Sequence, residues 1–278
     1  MPVNLIHSAL IPDEYIKGLE NLFPGLSRYP LPVSKDVYDS ISSHPDIFIF
    51  TLHPVPPYGG TGRIPRPPQA GSHDKRNSEA KDATTVSPRS FTLDQRTFVL
   101  SGQVPTDLAQ ALTKSGARVI KSLSSPRGKY PDTSPLNAVR VGRFLIHNTD
   151  HTDQAIKALC VENGLEFVHV GQGYARCSVV PVGANAIITC DPGIFKAVSS
   201  AGLAVKLISG GNIRLPGERY GFIGGASGVL PGGRLVFLGD ITRHPDYGAM
   251  SAFMYEHGVE YLHIKGLDLF DAGSLIFF

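Results

Sequence analysis

The sequence has no long hydrophobic run. Its apolar segments, such as Ile47 to Leu52, are strand-sized and fall well short of the roughly 20 residues a membrane helix needs. It also has no surplus of charge of one sign: Lys+Arg 26 against Asp+Glu 24 leaves a net charge of +2. A surface built to track nucleic acid or anionic lipid is therefore not expected. Cysteine is sparse and odd in number. Cys160, Cys177 and Cys190 have no CxxC or metal-ligand spacing, which argues against a disulfide framework and a structural zinc site and leaves thiol chemistry as the role for a cysteine that matters. The first residues, Met1 to His7, lack the basic stretch, apolar core and small-residue cleavage site of a secretory signal, so a cytoplasmic location is expected.

What is present is a globular balance, with 42% hydrophobic and 18% charged residues, punctuated by 30 Gly and 22 Pro. That much punctuation predicts many short strands and argues against long helical bundles. One pattern recurs along the chain: apolar strand, turn, short amphipathic helix, Gly, second apolar strand. Thr97–Leu100 leads to a helix at 107–114, Gly116 and the strand 118–120. Phe144–Ile146 leads to a helix at 153–162, Gly164 and the strand 166–170. Ala186–Thr189 leads to a helix at 193–200, Gly202 and the strand 204–208, and Leu235–Leu238 to a helix at 247–257, Gly258 and the strand 259–264. A further strand stands in front of each copy, at 47–50, 137–141 and 177–182 in the first three, so that the unit reads ββαβ.

The N-terminal segment (strand 4–7, helix 13–22, Gly25, strand 27–29) has the later half of the same unit. Its front strand is found at the other end of the chain, in Gly273 to Phe278, so pairing of the first and last segments would complete a fifth unit and close a ring. A five-bladed α/β propeller is the expected fold, as one domain over 1–278. The stretch 53–94 is rich in Pro and Gly without apolar periodicity, and is expected to be a disordered or lid-forming insertion.

Five such units resemble the pentein, or guanidino-group-modifying, superfamily of arginine deiminases, dimethylarginine hydrolases and amidinotransferases. Ser43 to Ile47, Gln172 to Ser178, Tyr220 to Gly228 and Asp271 to Ser274 look like an uncharacterised, mainly bacterial branch of it. The resemblance implies a nucleophilic Cys, a His in a His-x-Asp arrangement, and carboxylates around the axis. A guanidinium is held by carboxylates, attacked by a thiolate and processed through a covalent thiouronium while His moves protons, with no cofactor or metal.

On this chain the resemblance implies Cys177, His44 and Asp46 as catalytic residues and Asp271 as a substrate-binding carboxylate. Asp132, Arg176, Gly224, Gly225 and Ser227 are the further substrate-binding candidates, Arg176 also as a neighbour favouring thiolate. The family enzymes usually carry their Cys in the last unit, whereas this chain has none after Cys190, so a circularly shifted constellation is implied. The implied function is a cysteine-dependent hydrolase or amidinotransferase acting on a guanidino or amidino small molecule. The alternative is a non-catalytic pentein serving as a binding or assembly module.

Plainer readings stand beside these. His44-Pro45-Asp46 is also a turn-initiating tripeptide, repeated at His244-Pro245-Asp246, and Cys177 is also a small buried hydrophobe. Gly224 to Gly228 is not a phosphate loop, because a strand rather than a helix follows it. His147, Asp150, His151 and Asp153 stand at a strand-to-helix junction, where capping is favoured over metal binding.

Overall fold

The computed structural model describes residues 3–53 and 96–278. The expectation for 53–94 therefore lies, His53 apart, outside the described residues. The fold is α/β. Four copies of one motif follow each other, each with a front strand antiparallel to a middle strand and the middle strand parallel to an outer strand reached through a helix. The first consists of β3 (Ile49–Leu52), β4 (Thr97–Leu100), α3 (Thr106–Lys114) and β5 (Arg118–Lys121). The second consists of β6 (Val139–Val141), β7 (Phe144–His147), α4 (Gln154–Glu162) and β8 (Glu166–His169). The third is built from β9 (Val179–Val182), β10 (Ala186–Thr189), α6 (Pro192–Ser200) and β11 (Ala204–Leu207). The fourth contains β12 (Ser227–Val229), β13 (Leu235–Phe237), α7 (Tyr247–Glu256) and β14 (Tyr261–His263).

The chain ends supply the fifth. β15 (Leu275–Phe277) is antiparallel to β1 (Asn4–Ser8), with Leu5 opposite Phe277, and β1 is parallel to β2 (Ser27–Leu31) across α1 (Asp13–Leu22). β15 also runs parallel to β12, which merges the last two motifs into one six-stranded sheet of order β14-β13-β12-β15-β1-β2.

The local sequence explains these elements. Middle strands read TFVL, FLIH, AIIT and LVF and are buried along their whole length, the continuous pattern of a strand covered on both faces. Outer strands such as RVIK and AVKL are exposed at their first and last residues and half-buried between them. Asp153 accepts from the Ala155 N–H at the start of α4, and Asp191 from the Ile194 N–H at the start of α6, where Pro192 occupies the first turn. Leu108 and Leu112 form the inward stripe of α3.

The core is divided into five apolar clusters, each sealing one junction between motifs. Phe50, Val99, Leu145 and Ile156 join the first motif to the second, and Ile6, Leu31, Ile276 and Phe278 pack against Ile47, Phe98 and Leu112 to join the last to the first.

Several boundaries differ from the expected ones, among them β6, which starts at Val139, and β14, which is confined to Tyr261–His263. The front strands near His44 and Cys177 begin two residues late, because Pro45–Phe48 (α2) and Ala175–Ser178 (α5) each form a single helical turn. Cys177 thus sits in a turn and does not open β9. Among the described residues, no helix is long and apolar enough to cross a membrane.

Candidate active site

A turn precedes each front strand, and the five turns meet in a closed cycle of hydrogen bonds. The Asp46 N–H donates to Gly273 O (3.1 Å), Ser274 N–H to Gly225 O (2.8 Å), Gly225 N–H to Cys177 O (2.9 Å) and Arg176 N–H to Asn137 O (2.9 Å). The Asn137 side-chain amide closes the cycle by donating to Asp46 O at 3.1 Å. Backbones come this close only where side chains are missing. A Cβ on Gly225 would lie 1.9 Å from Asp271 Oδ1, and one on Gly273, whose φ is +69°, would lie 2.2 Å from His44 Cβ.

The cycle places Cys177 against a buried carboxyl. Its thiol donates to Asp46 Oδ2 at 3.0 Å and accepts from Asn137 Nδ2 at 3.2 Å. Ser274 Oγ donates to the same Asp46 oxygen at 2.6 Å, while Asn137 Oδ1 accepts from the Cys177 N–H. Asp271 is held in turn by the N–H groups of Phe222 and Gly273, at 2.8 and 2.9 Å. Two polar atoms, His44 Nδ1 and Asp46 Oδ1, are buried with no hydrogen-bond partner among the described residues. Buried polar atoms are rarely left unpaired; of these two residues, His44 lines the cavity described next and Asp46 lies behind its wall.

His44, Cys177 and Asp271 line one cavity of about 780 Å³ at the leading ends of the front strands. Asp191 and Glu218 add carboxyls to its wall, Arg219 adds a guanidinium, and Tyr38, Tyr130, Tyr174 and Tyr220 add aromatic faces. The Tyr38 and Tyr174 hydroxyls are hydrogen-bonded to each other at 2.8 Å. Carboxyls beside aromatic faces suit a delocalised cation, which the rings attract through their quadrupoles.

Burial dominates the electrostatics. It pushes the Cys177 thiol well above its ordinary value, and the charges of Asp46 and Asp271 add to that. Burial also raises Asp46, opposed by His44 and by the hydrogen bonds from Cys177 and Ser274. His44 is pulled down to about 4 by burial in spite of Asp46, and Asp271 is pushed up to about 6 in spite of its two backbone donors and Arg176. Burial thus favours the protonated thiol at Cys177 and the neutral imidazole at His44.

Of the residues singled out in the sequence, His44, Asp46, Cys177 and Asp271 come together here. Gly224, Gly225 and Ser227 do not line the cavity. They pack beneath it, where Ser227 Oγ donates to Gly224 O. Arg176 also points away, its guanidinium donating to the carbonyls of Val179, Gly224 and Ser227, so it is not a residue of the cavity wall. Asp132 is exposed in the 127–132 turn and lines a separate recess. His147 is committed to Thr152 and Gly173 O, and Asp153 to backbone N–H groups, consistent with a capping junction.

Asn137 and Ser274 were not singled out as site residues. A positional signal existed for Asn137, since Asn137, Cys177, Gly225 and Gly273 all stand two residues before a front strand. The contacts of Ser274 carried no such signal.

These features define an α/β protein of repeated units that gathers a thiol, an imidazole and carboxyls at one end of its front strands. The chain belongs to DUF6873, a family of unknown function, whose model matches residues 89–276. That span includes Asn137, Cys177, Asp271 and Ser274, whereas His44 and Asp46 precede it. A search of curated proteins returns no match.

Proposed function

We propose that the five units form the five-bladed propeller of the pentein fold, and that its axial cavity binds a guanidino or amidino small molecule on which Cys177 acts as nucleophile. One observation carries this reading: Cys177, which lines the cavity together with His44 and Asp271, has its thiol hydrogen-bonded to Asp46 behind the cavity wall. The cycle of hydrogen bonds and the five sealed junctions support the propeller.

A bound guanidinium offsets the two carboxylate charges that hold the thiol protonated, and Asn137 Nδ2 donates to the thiolate that results. Sγ gives its proton to Asp46 and forms a bond to the central carbon. A C–N bond then breaks, and the leaving amine takes the proton from Asp46, which leaves an S-linked thiouronium. Water adds to this carbon while His44 accepts one of its protons. The S–C bond breaks, Sγ recovers the proton from His44, and the remaining hydroxyl proton goes to the released amine. The sum is guanidinium plus water giving a urea-type product and an ammonium, with no redox change. An amine in place of water gives amidino transfer.

The test is labelling of Cys177 by a haloacetamidine against iodoacetamide, read by peptide mass spectrometry across pH, together with ammonia release from a panel of guanidino compounds. Selective, saturable labelling that is lost in His44→Ala is the expected result, and unselective labelling without turnover would overturn it. A second reading, a binding module that captures such cations without turning them over, is favoured by the strongly raised thiol. It predicts saturable binding of the same compounds with slow labelling and no ammonia.

A further inference from the structure

A second cavity, of about 110 Å³, lies at the opposite ends of the front strands. All five contribute to it, through Thr51 of β3, Arg140 of β6, Pro181 of β9, Val229 of β12 and Ile276 of β15, whereas the first cavity is lined by residues that precede those strands. Its polar groups are of one sign. Arg140 donates to Gly142 O at 2.8 Å and to His53 O at 2.5 Å, and Arg176 donates to the three carbonyls already described. Among the described residues, the ion pairs include neither arginine.

Carbonyl dipoles orient these half-buried guanidinium groups without neutralising them, and a charge drawn out of water is costly unless it is paired. Arg176 is partly offset by Asp46 and Asp271, but burial pulls Arg140 down to about 10 with no acidic group opposing it. His53, on the same wall, is pulled down to about 4 by burial and, among the described residues, by its charged neighbours Arg96, Arg176 and Arg140. Among the described residues the surplus is therefore positive, in a space sized for a few atoms.

We propose that this cavity binds a small monovalent anion, held by the guanidinium groups of Arg140 and Arg176 and the hydroxyl of Thr51. Guanidinium forks suit a compact negative charge, and a halide and a small carboxylate share that chemistry. The site is separate from the thiol cavity and does not depend on the function proposed for it.

The test is the thermal midpoint of the full chain at constant ionic strength, with gluconate replaced stepwise by chloride, bromide or formate. An anion that binds only the folded state raises the midpoint saturably. The expected result is a saturable rise with one or more of these ions, with the half-saturating concentration at least tenfold higher in Arg140→Gln and severalfold higher in Thr51→Val. A response to halides alone marks a halide site, and a stronger response to formate marks a carboxylate site. Bromide-soaked crystals should show an anomalous peak between the two arginines. Where Arg140→Gln fails to fold, Thr51→Val and the bromide peak decide. Midpoints that change linearly and equally in all three proteins, with no peak in the cavity, would overturn the proposal.

Discussion

Burial does most to hold Cys177 as a thiol, and replacing Asp46 with Asn isolates the share that the carboxylate charge adds. Cys177 and Ser274 both donate to Asp46 Oδ2, so an amide with its oxygen in that place keeps both hydrogen bonds and loses only the negative charge. A hydrogen bond to a charged acceptor contributes about 1.5–3 kcal/mol and a neutral one about 0.5–1.5 kcal/mol, so the protonated thiol loses about 1–2 kcal/mol of support. That corresponds to about a 5- to 30-fold larger thiolate fraction at a fixed alkaline pH, and the lost Coulomb repulsion acts in the same direction. Alkylation by iodoacetamide at fixed pH, followed peptide by peptide, should therefore be about 5- to 30-fold faster at Cys177 in Asp46→Asn. Cys190, which is only partly buried and outside this network, is the internal control and should react at an unchanged rate. A Cys177 rate that is unchanged or slower in a variant with native circular dichroism would refute the idea that the Asp46 carboxylate keeps the sulfur protonated.

Three further outcomes follow from the same geometry. Gly273→Ala forces a left-handed backbone on Ala and drives its Cβ into His44, so it should lower stability by about 2–5 kcal/mol in urea denaturation; a loss below about 1 kcal/mol would mean that the turn relaxes. His44 and His147 are held neutral by burial at about 4, so the unfolded chain takes up protons first and stability falls as pH drops from about 6.5 towards 4. Asp271 opposes them, because its raised value of about 6 makes stability fall as pH rises from about 4 to 6. Asp271→Asn should therefore make the acid loss steeper by about 3 kcal/mol, and equal slopes in wild type and variant would contradict the shift. Deleting residues 275–278 removes four buried side chains and the strand shared by β1 and β12, a loss of about 6–12 kcal/mol that matches a whole domain's stability. That variant should not fold, as judged by circular dichroism and solubility.

The sequence by itself determined the repeated units, their order and the pairing of the chain ends. The physical reason is local. A short apolar run such as Phe144–Ile146 between turn residues suits a buried strand, an amphipathic stripe such as that of α3 needs a partner surface to lie on, and the glycines after each helix mark where it stops. Local pattern also pointed to the polar turns before the front strands, and hence to His44, Asp46, Cys177 and Asp271. It did not assign roles within those turns. Whether Arg176 faces a substrate or a carbonyl, whether Gly225 lines a cavity or packs beneath one, and whether the Cys177 thiol is raised or lowered depend, the nearby Val179 carbonyl apart, on groups 40 to 131 positions away in the chain.

Only the tertiary structure decided those points. Arg176 stands beside Cys177 in sequence, and one-dimensional reasoning counts its charge as favouring the thiolate. In three dimensions its guanidinium turns to the carbonyls of Val179, Gly224 and Ser227, while Asp46, 131 positions before Cys177, accepts the thiol's hydrogen bond. Burial and through-space charge are properties of the assembled ring of turns, and residues distant along the chain set them.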